Sequence, residues 1–535
     1  MAQVSFGAYD ADVWIPQFRG LNQADVLMNP DMRYAAEAEN VETINGVLQP
    51  MAECPIAIGE FADRVETFTT FHRRWYTGSG SHDWYVCCSG GKFYQRQAGT
   101  SVPWAEIPLP SAISGVFQNS LWSWVTYEIN PVGSTDTIDV LLLSNAQDGM
   151  IMIIPPDRPT TWGDLTEFTW DYVQDMTWLE TSSPEWHINT IETAGKKMGV
   201  IERYGERIWG GDIAGEPDML MYSAPYDPTD WTANTEIPED GAGDILQPSW
   251  DGDKFYALKR FGDQLLAFKK NRIWRVVGLS PGEFVFQEQF GGGTEFFGTI
   301  AVDNDRVLML TKDGMSIYDG MNTTPFQRKF VEQLWKRTNA DALDQSCGCL
   351  FKNRYYLSFP IDGSGTNNAL LIYDFIEGTV LYHSGLNIEA MLPTDDELFA
   401  TTSDLPGRIV QIGYDSWSAG AACGRPARWV SPWIDFGRKE IRKGGFDLYF
   451  LPEVQDGAVE FSISIQTEKK KKTKLYTVRP IMESQRANYK EHKQKRLHFG
   501  GGGRKFRVII ETAQGITAPW RIIGGIQLTV ETDPD

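Results

Sequence analysis

The stretch that decides the fold is Phe261-Gly-Asp-Gln-Leu-Leu-Ala-Phe-Lys-Lys-Asn-Arg-Ile-Trp-Arg-Val, residues 261–276. It contains two short apolar strands, the first preceded by a glycine turn and the second carrying a tryptophan. Tyr204-Gly-Glu-Arg-Ile repeats the opening of the first strand: an aromatic residue, glycine, an acid, a polar residue and an aliphatic one. Because a lone hairpin cannot bury its apolar face, we expect many such hairpins to pack against one another.

Short apolar strands of this kind recur along the chain, 56 to 68 residues apart at first and closer together later. The last four begin 42, 48 and 43 residues apart, which matches the length of one four-stranded propeller blade, about 40 to 50 residues. Radial stacking of such units buries their faces and leaves only short, protected edges. The pattern predicts an all-β chain with a β-propeller of six to seven blades over residues 61–423. The seven strands begin at Asp83, Asp139, Arg207, Gln264, Arg306, Arg354 and Glu397.

Outside residues 61–423 the pattern changes. After Gly424 six segments alternate apolar and polar residues, which predicts a C-terminal β-sandwich over residues 424–535. Residues 1–60 are expected to form an extended N-terminal arm and a strand that closes the ring. Residues 155–202, rich in tryptophan and acid, exceed an ordinary blade loop and are expected to be an insertion, forming a gate or a docking arm.

The composition agrees with a folded β-rich protein. The chain of 535 residues contains 19 Trp, 20 Tyr, 28 Phe, 51 Gly and 28 Pro, which favours strands and turns over long helices. Apolar residues make up 42% and charged residues 22%, which excludes a disordered chain. We find no apolar run long enough to span a bilayer and no signal peptide, so we expect a protein that stays where it is made.

Charge divides the chain into two parts. The net charge is −22, yet residues 424–535 carry 21 Lys and Arg against 13 Asp and Glu, whereas the preceding residues carry 28 against 58. An acidic body is poorly suited to neutralise nucleic-acid phosphates. The sequence therefore predicts an acidic propeller and a basic sandwich that can bind phosphate or an acidic neighbour.

The densest basic run lies between two predicted strands and is expected at a hairpin tip. It has two interpretations: a solvated loop whose charge opposes aggregation, or a contact to DNA phosphates or to the acidic ring of another subunit. The residues predicted for such a contact are Lys469, Lys470, Lys471, Lys472, Lys474, Arg504 and Lys505.

No set of residues predicts catalysis. Ser79, Ser81 and His82 lie in a glycine-rich turn without the strand-to-helix elbow of a hydrolase, and His187 and His383 have no Ser or Cys pattern near them. We therefore expect no catalytic residue, no cofactor and no enzymatic activity.

Metal and phosphate sites are also not predicted. Cys347-Gly-Cys349 lacks a second pair of ligands at zinc spacing, so the six cysteines are expected to be buried apolar residues. The glycine clusters at residues 291–293 and 500–503 precede extended sequence rather than a helix, and are interpreted as turns or hinges.

Two alternatives from other classes stay open. Carboxylate pairs could serve a carbohydrate-active propeller enzyme, and exposed tryptophans could serve a sugar-binding propeller, although core packing is the favoured interpretation of those tryptophans. The carboxylate pairs are Asp251 with Asp253, Glu239 with Asp240, and Asp395 with Asp396; the tryptophans are Trp104, Trp162 and Trp231.

The order of arm, acidic propeller and basic sandwich resembles a known family. Tyr222-Ser-Ala-Pro-Tyr-Asp-Pro-Thr-Asp-Trp, residues 261–274 and Asp313-Gly-Met-Ser-Ile-Tyr-Asp-Gly are similar to segments of tailed-bacteriophage virion proteins of the tail nozzle, or packaged-DNA stabilisation, type. The closing strands from Lys505 to Glu531 resemble the end of the same group. The resemblance covers most of the chain.

The resemblance implies a structural protein of the virion tail, assembled in the host cytoplasm. It implies a homo-oligomeric ring, usually a hexamer, below the portal and the adaptor. Such a ring retains packaged DNA, attaches other tail parts and lets double-stranded DNA pass without sequence specificity. It implies no catalytic residues. A minor tail or hub protein of a long-tailed phage is the nearest alternative, because the chain is longer than the compact members of the group.

Overall fold

The computed structural model describes residues 3–6, 10–23, 31–73, 82–109, 113, 115–129, 138–154, 186–246, 252–289, 291–326, 328–403, 407–436, 443–480 and 495–532. These residues form strands almost throughout, with a few single-turn helices. Two of the helices are α-helical, α1 (Glu332–Trp335) and α2 (Ser416–Ala419), and five are 3₁₀: Pro238–Asp240, Pro281–Glu283, Phe297–Thr299, Arg328–Val331 and Ala340–Gln345.

The N-terminal segment supplies six strands. They are β1 (Gln3–Phe6), β2 (Asp10–Ile15), β3 (Glu37–Glu39), β4 (Val41–Ile44), β5 (Val47–Pro50) and β6 (Ile56–Glu60). We expected an extended arm here, but β1 to β5 instead join the two sheets of the sandwich. The chain then leaves the sandwich, and β6 is the outermost strand of the last propeller blade.

Seven four-stranded antiparallel sheets form the propeller, each running from an innermost first strand to an outermost last strand. Blade 1 is β7 (Val65–Arg73), β8 (His82–Ser89), β9 (Lys92–Gln97) and β10 (Ala105–Glu106). Blade 2 is β11 (Ser123–Ile129), β12 (Ile138–Asn145), β13 (Gly149–Ile154) and β14 (His187–Ile191). Blade 3 is β15 (Met198–Tyr204), β16 (Arg207–Ile213), β17 (Met219–Tyr222) and β18 (Gly243–Leu246).

The remaining four blades follow the same pattern. Blade 4 is β19 (Ala257–Phe261), β20 (Gln264–Phe268), β21 (Ile273–Val277) and β22 (Val285–Gln289). Blade 5 is β23 (Ala301–Val302), β24 (Val307–Thr311), β25 (Gly314–Tyr318) and β26 (Thr323–Pro325). Blade 6 is β27 (Cys347–Phe351), β28 (Arg354–Phe359), β29 (Ala369–Asp374) and β30 (Thr379–Ser384). Blade 7 is β31 (Ile388–Pro393), β32 (Leu398–Thr402), β33 (Arg408–Ile412) and β6.

The sequence repeat corresponds to one strand of each blade. All seven predicted strands are the second strand of a blade, from β8 to β32, so the all-β propeller is confirmed and has seven blades. The shared aromatic-glycine opening is a hairpin turn: Gly205 and Glu206, between β15 and β16, both have positive φ, as a tight two-residue turn requires. The innermost strand of blade 7 lies beside that of blade 1, which closes the ring.

The predicted insertion is partly a blade structure. Residues 187–191 and 198–204 are strands of blades 2 and 3, and residues 155–185 lie outside the described residues. The long spacing between repeats in this region arises because the extra sequence separates two ordinary blade strands, β13 and β14, which pair directly.

The C-terminal β-sandwich is confirmed, with N-terminal strands added to it. One sheet has the order β1-β2-β40-β35-β38 with β4 and β5 beside β40, and the other has the order β3-β34-β39-β36-β37. Its C-terminal strands are β34 (Arg428–Val430), β35 (Lys443–Val454), β36 (Val459–Thr467), β37 (Lys471–Val478), β38 (Lys495–Gly503), β39 (Phe506–Thr512) and β40 (Trp520–Thr532). The glycines at 500–503, interpreted from sequence as a turn or hinge, lie in β38.

One apolar core runs from the sandwich into the propeller. Phe18 packs edge-on against Trp429 with their ring centroids 5.1 Å apart, and the same cluster of buried side chains includes Tyr355 and Val380 of blade 6. Backbone contacts reinforce the junction, because the Leu21 amide donates a hydrogen bond to the Val380 carbonyl at 2.7 Å. The N-terminal segment therefore fastens the sandwich to the ring.

Gly525 allows β2 to approach β40. It has φ +73°, and a Cβ atom placed there would lie 1.7 Å from the Ile15 carbonyl oxygen. Gly524 also has a positive φ, +67°, but a Cβ atom there would meet nothing within 4 Å. Both positions therefore require a left-handed backbone, but only position 525 also requires that no side chain be present.

We expect Gly525→Ala to lower the unfolding temperature much more than Gly524→Ala. Gly524→Ala costs only the strain of the left-handed backbone, about 1–2 kcal/mol, whereas Gly525→Ala must also push β2 away. Thermal unfolding and hydrogen exchange of residues 10–15 measure the two effects. Equal behaviour of the two variants would contradict the close packing of β2 on β40.

Candidate functional site

The predicted basic contact residues lie at one end of the sandwich. Lys469 and Lys470 form the turn between β36 and β37, and Lys471, Lys472 and Lys474 lie on β37. β37 is an edge strand of its sheet and is exposed along most of its length. The prediction of a hairpin tip holds for the turn, and the strand extends the basic surface along the sheet edge.

The structure brings Arg504 and Lys505 to the same end. They form the turn between β38 and β39, and β39 begins with Phe506, which pairs with Thr467 at the end of β36. The Thr467 amide also donates a hydrogen bond to the Lys470 carbonyl at 2.7 Å. Both turns therefore lie next to Thr467. We call the seven residues Lys469–Lys472, Lys474, Arg504 and Lys505 the basic edge.

Lysines of β37 lie on both faces of the sheet. Lys472 and Lys474 pair with Ile465 and Ile463, which are buried, so these two lysines lie on the core-facing side at its open rim. The ammonium group of Lys474 lies 5.7 Å from the ring centroid of Phe499 on β38. Long lysine stems can cover apolar surface in this way while the charge stays in water.

Lys471 lies on the outer face and is tied into an ion network. Its Nζ lies 3.3 Å from Glu511, which also pairs with Arg428. Arg428 lies 2.9 Å from Glu37 on the N-terminal strand β3, and Arg507 lies 3.0 Å from the same carboxylate. Burial acts to raise the pKa of Glu37, but the hydrogen bonds and charges of the two arginines outweigh it and hold the pKa below its usual value.

The N-terminal strands reduce the basic character of the sandwich. Residues 1–50 carry seven Asp and Glu against two Arg, so the folded sandwich has a smaller positive excess than residues 424–535 alone. Sequence reasoning placed these acids in a separate arm and missed this neutralisation.

A second candidate site lies on the propeller axis. A cavity of about 510 Å³ is lined by the innermost strands of blades 1, 2, 6 and 7 and by the turns that precede blades 5 and 6. Its charged residues are Arg64, Glu66, Asp344 and Glu389, and Arg64 pairs with Glu389 at 3.1 Å. Trp124 is 40% exposed on this wall. We call this space the axial cavity.

Sequence reasoning did not find the axial cavity. Its ionisable residues come from positions as far apart as 64 and 389, and they meet only because the ring closes. The only local signal was that some of these polar residues lie in or next to the first strand of a blade, where a side chain can face the axis.

Two of the three carboxylate pairs named from the sequence lie outside this cavity. Asp395 and Asp396 lie in the exposed turn between β31 and β32, and Glu239 and Asp240 lie in an exposed 3₁₀ turn. Asp251 lies outside the described residues.

The tryptophans considered for sugar binding are packed where the structure describes them. The Trp231 side chain is buried, and Trp104 packs against Phe61 with centroids 5.3 Å apart. Trp162 lies outside the described residues, as do Ser79 and Ser81.

The cysteines and histidines offer little reactive chemistry. All six cysteines are free thiols, and burial raises the pKa of Cys54 and of Cys88 to about 12, so both stay protonated at neutral pH. His383 is buried 3.6 Å from Glu42. In the part of the chain that the structure describes, His, Cys, Asp and Glu side chains form no group of three suited to a metal ion.

Comparison with known proteins identifies fold neighbours only. No family model matches the chain, and no curated protein matches it. Solved structures similar to it include the AfRom2 CNH domain, with a TM-score of 0.33, 10% identity, and coverage of 67% of this chain and 98% of that chain. They also include the β-propeller domain of the Trilobed protease from Pyrococcus furiosus, with a TM-score of 0.33, 11% identity, and coverage of 66% and 96%.

The described helices are all too short to cross a bilayer.

The Glu37 network predicts a pH dependence of stability. Because the folded-state pKa of Glu37 is lowered, its stabilising contribution is present above the ordinary glutamate pKa and is lost as the pH falls through the folded-state value. Glu37→Gln should therefore lower the unfolding temperature at pH 6 and much less at pH 3. Glu460→Gln, which removes an exposed carboxylate on β36, is the control. A Glu37→Gln deficit that is the same at both pH values would contradict the network.

Proposed function

We propose that this chain is a structural subunit of a bacteriophage tail, resembling the nozzle that surrounds the DNA exit channel. Several copies form a ring, which retains packaged DNA and attaches other tail parts. The protein acts in the virion, after assembly in the host cytoplasm, and performs no catalysis. The proposal starts from the sequence resemblance and takes its physical support from two features of the fold.

The observation that carries the proposal is the joining of sandwich and propeller by the N-terminal segment. β2 pairs with β40 in the sandwich, and β6 pairs with β33 in blade 7, so residues 10–60 hold both parts. The shared apolar core extends from Phe18 to Val380. A tail fitting under internal pressure must transmit force between its neighbours without separating internally, and this construction suits that task.

Charge supports side-by-side assembly of copies. The propeller carries most of the acidic residues, and the basic edge lies on the sandwich at an exposed strand. Complementary charges on two parts of one chain favour head-to-tail contact between copies, which closes into a ring when the rotation is suitable. The basic edge of one copy would then face the acidic propeller of the next.

DNA in this proposal passes between the copies rather than through the propeller. The axial cavity, about 510 Å³, has the volume of a small-molecule site and does not accommodate a duplex. The acidic surfaces of the propellers would line the path of the DNA. Because such surfaces make few contacts with phosphates, the DNA would adhere to them only weakly. A minor tail or hub protein of a long-tailed phage would use the same features and is an alternative within the structural class.

A carbohydrate-active propeller enzyme is the second candidate. The axial cavity favours it, because Glu66, Asp344 and Glu389 lie in one space with the exposed Trp124. Glycosidases use paired carboxylates to protonate the leaving group and to attack or activate water. Glycan cleavage that is lost in Glu66→Gln or Glu389→Gln would support the enzyme and contradict the structural proposal.

We expect the purified protein to form closed rings at low salt and to dissociate as the salt concentration rises, because exposed charge contacts are screened. The triple variant Lys469→Gln, Lys470→Gln and Lys472→Gln should shift the population toward monomers. Mass photometry measures the masses of the species, and electron microscopy of negatively stained particles shows whether the rings are closed.

The control changes the same amount of charge elsewhere. Lys312→Gln, Lys336→Gln and Lys352→Gln remove three exposed lysines from the propeller and should leave the rings intact. A wild-type protein that stays monomeric at every salt concentration and protein concentration tested would overturn the proposed ring.

A further inference from the structure

The axial cavity contains carboxylates that the protein leaves unpaired. Arg64 is the single cationic residue that lines the cavity, and it forms an ion pair with Glu389. Glu66 and Asp344 form no hydrogen bond or ion pair with the residues that the structure describes. The cavity therefore carries a net negative charge that its own side chains do not neutralise.

The two unpaired carboxylates belong to different walls. Glu66 lies on β7 of blade 1, and Asp344 lies in the 3₁₀ turn Ala340–Gln345 that leads into blade 6. Apolar lining residues, including Leu121, Trp124 and Phe297, come from other parts of the ring. The cavity thus combines two separate negative groups with apolar surface.

Ser346 adds a hydrogen-bonding group to the blade 6 wall. Its side chain is 3% exposed, and its hydroxyl has no partner among the described residues. Buried hydroxyls are normally hydrogen-bonded, so an unused one beside a cavity marks a place where a ligand can complete the bonding. The oxygen of this hydroxyl can accept a hydrogen bond from an ammonium group.

We propose that the axial cavity binds a linear aliphatic diamine or polyamine. One ammonium group pairs with Glu66 and the other with Asp344, and the methylene chain between them covers the apolar wall. The exposed indole of Trp124 favours a cation over an anion, because the face of an aromatic ring attracts positive charge. A neutral saccharide would leave the two carboxylates uncompensated. This site is independent of whether the chain forms rings.

The test uses the full chain and 1,4-diaminobutane in isothermal titration calorimetry at low salt. We expect saturable binding with one site per chain, and binding of n-butylamine, which has one ammonium group, to be about tenfold weaker. Glu66→Gln and Asp344→Asn should each weaken diaminobutane binding about tenfold. Each variant also removes the advantage of diaminobutane over butylamine, which a merely structural role would not do.

The matched control is Asp395→Asn, which removes an exposed carboxylate from the turn between β31 and β32 and changes the net charge equally. It should bind diaminobutane as the wild type does. Thermal unfolding of every variant verifies that the propeller is folded. Absence of saturable diaminobutane binding to the folded wild type, equal weakening by Asp395→Asn, or binding of glucose in preference to the diamine would overturn the proposal.

Discussion

Pairing between the two ends of the chain is the constraint on which the rest of the structure depends. β2 lies antiparallel to β40 from Asp10↔Glu531 to Ile15↔Ile526, and β6 then completes blade 7 by pairing with β33. Without these pairings one sheet of the sandwich would lose β1 and β2, and the last blade would keep an open edge. Because one short segment makes both connections, the closure of the ring and the attachment of the sandwich are coupled. An open strand edge would also be a site for unwanted pairing with other chains.

The sequence predicted the repeated unit because the first three strands of every blade follow one another in the chain. Tight hairpins such as β15–β16 recur in the blades, and the positive φ that such a turn requires favours a glycine, here Gly205, that can be recognised in the sequence. The C-terminal strands were equally visible, since most of them alternate buried and exposed residues. The alternation of β36, with buried Phe461, Ile463 and Ile465, is an example.

What the sequence could not predict depends on contacts between distant segments. The N-terminal strands were interpreted as an arm because nothing local indicates that β2 will find a partner more than 500 residues away. Gly525 is one of 51 glycines, and only the carbonyl of Ile15 above it explains why that position must lack a side chain. The basic edge was found, yet the compensation of its neighbours by Glu37 was not. The axial cavity was missed because its walls are assembled from several blades.

The functional proposals draw on different parts of this architecture. The ring assembly uses the outer surfaces, because the basic edge and the acidic propeller are parts of one chain. The diamine site uses the inner strands, and neither proposal needs the other. Both depend on a propeller that stays closed, and hence on the N-terminal segment.

Scanning calorimetry of the intact chain tests this coupling most directly. If the N-terminal segment unites sandwich and propeller, the two should unfold in a single transition whose calorimetric enthalpy equals the van't Hoff enthalpy. Two separate transitions, with the sandwich unfolding while the propeller remains folded, would contradict the account.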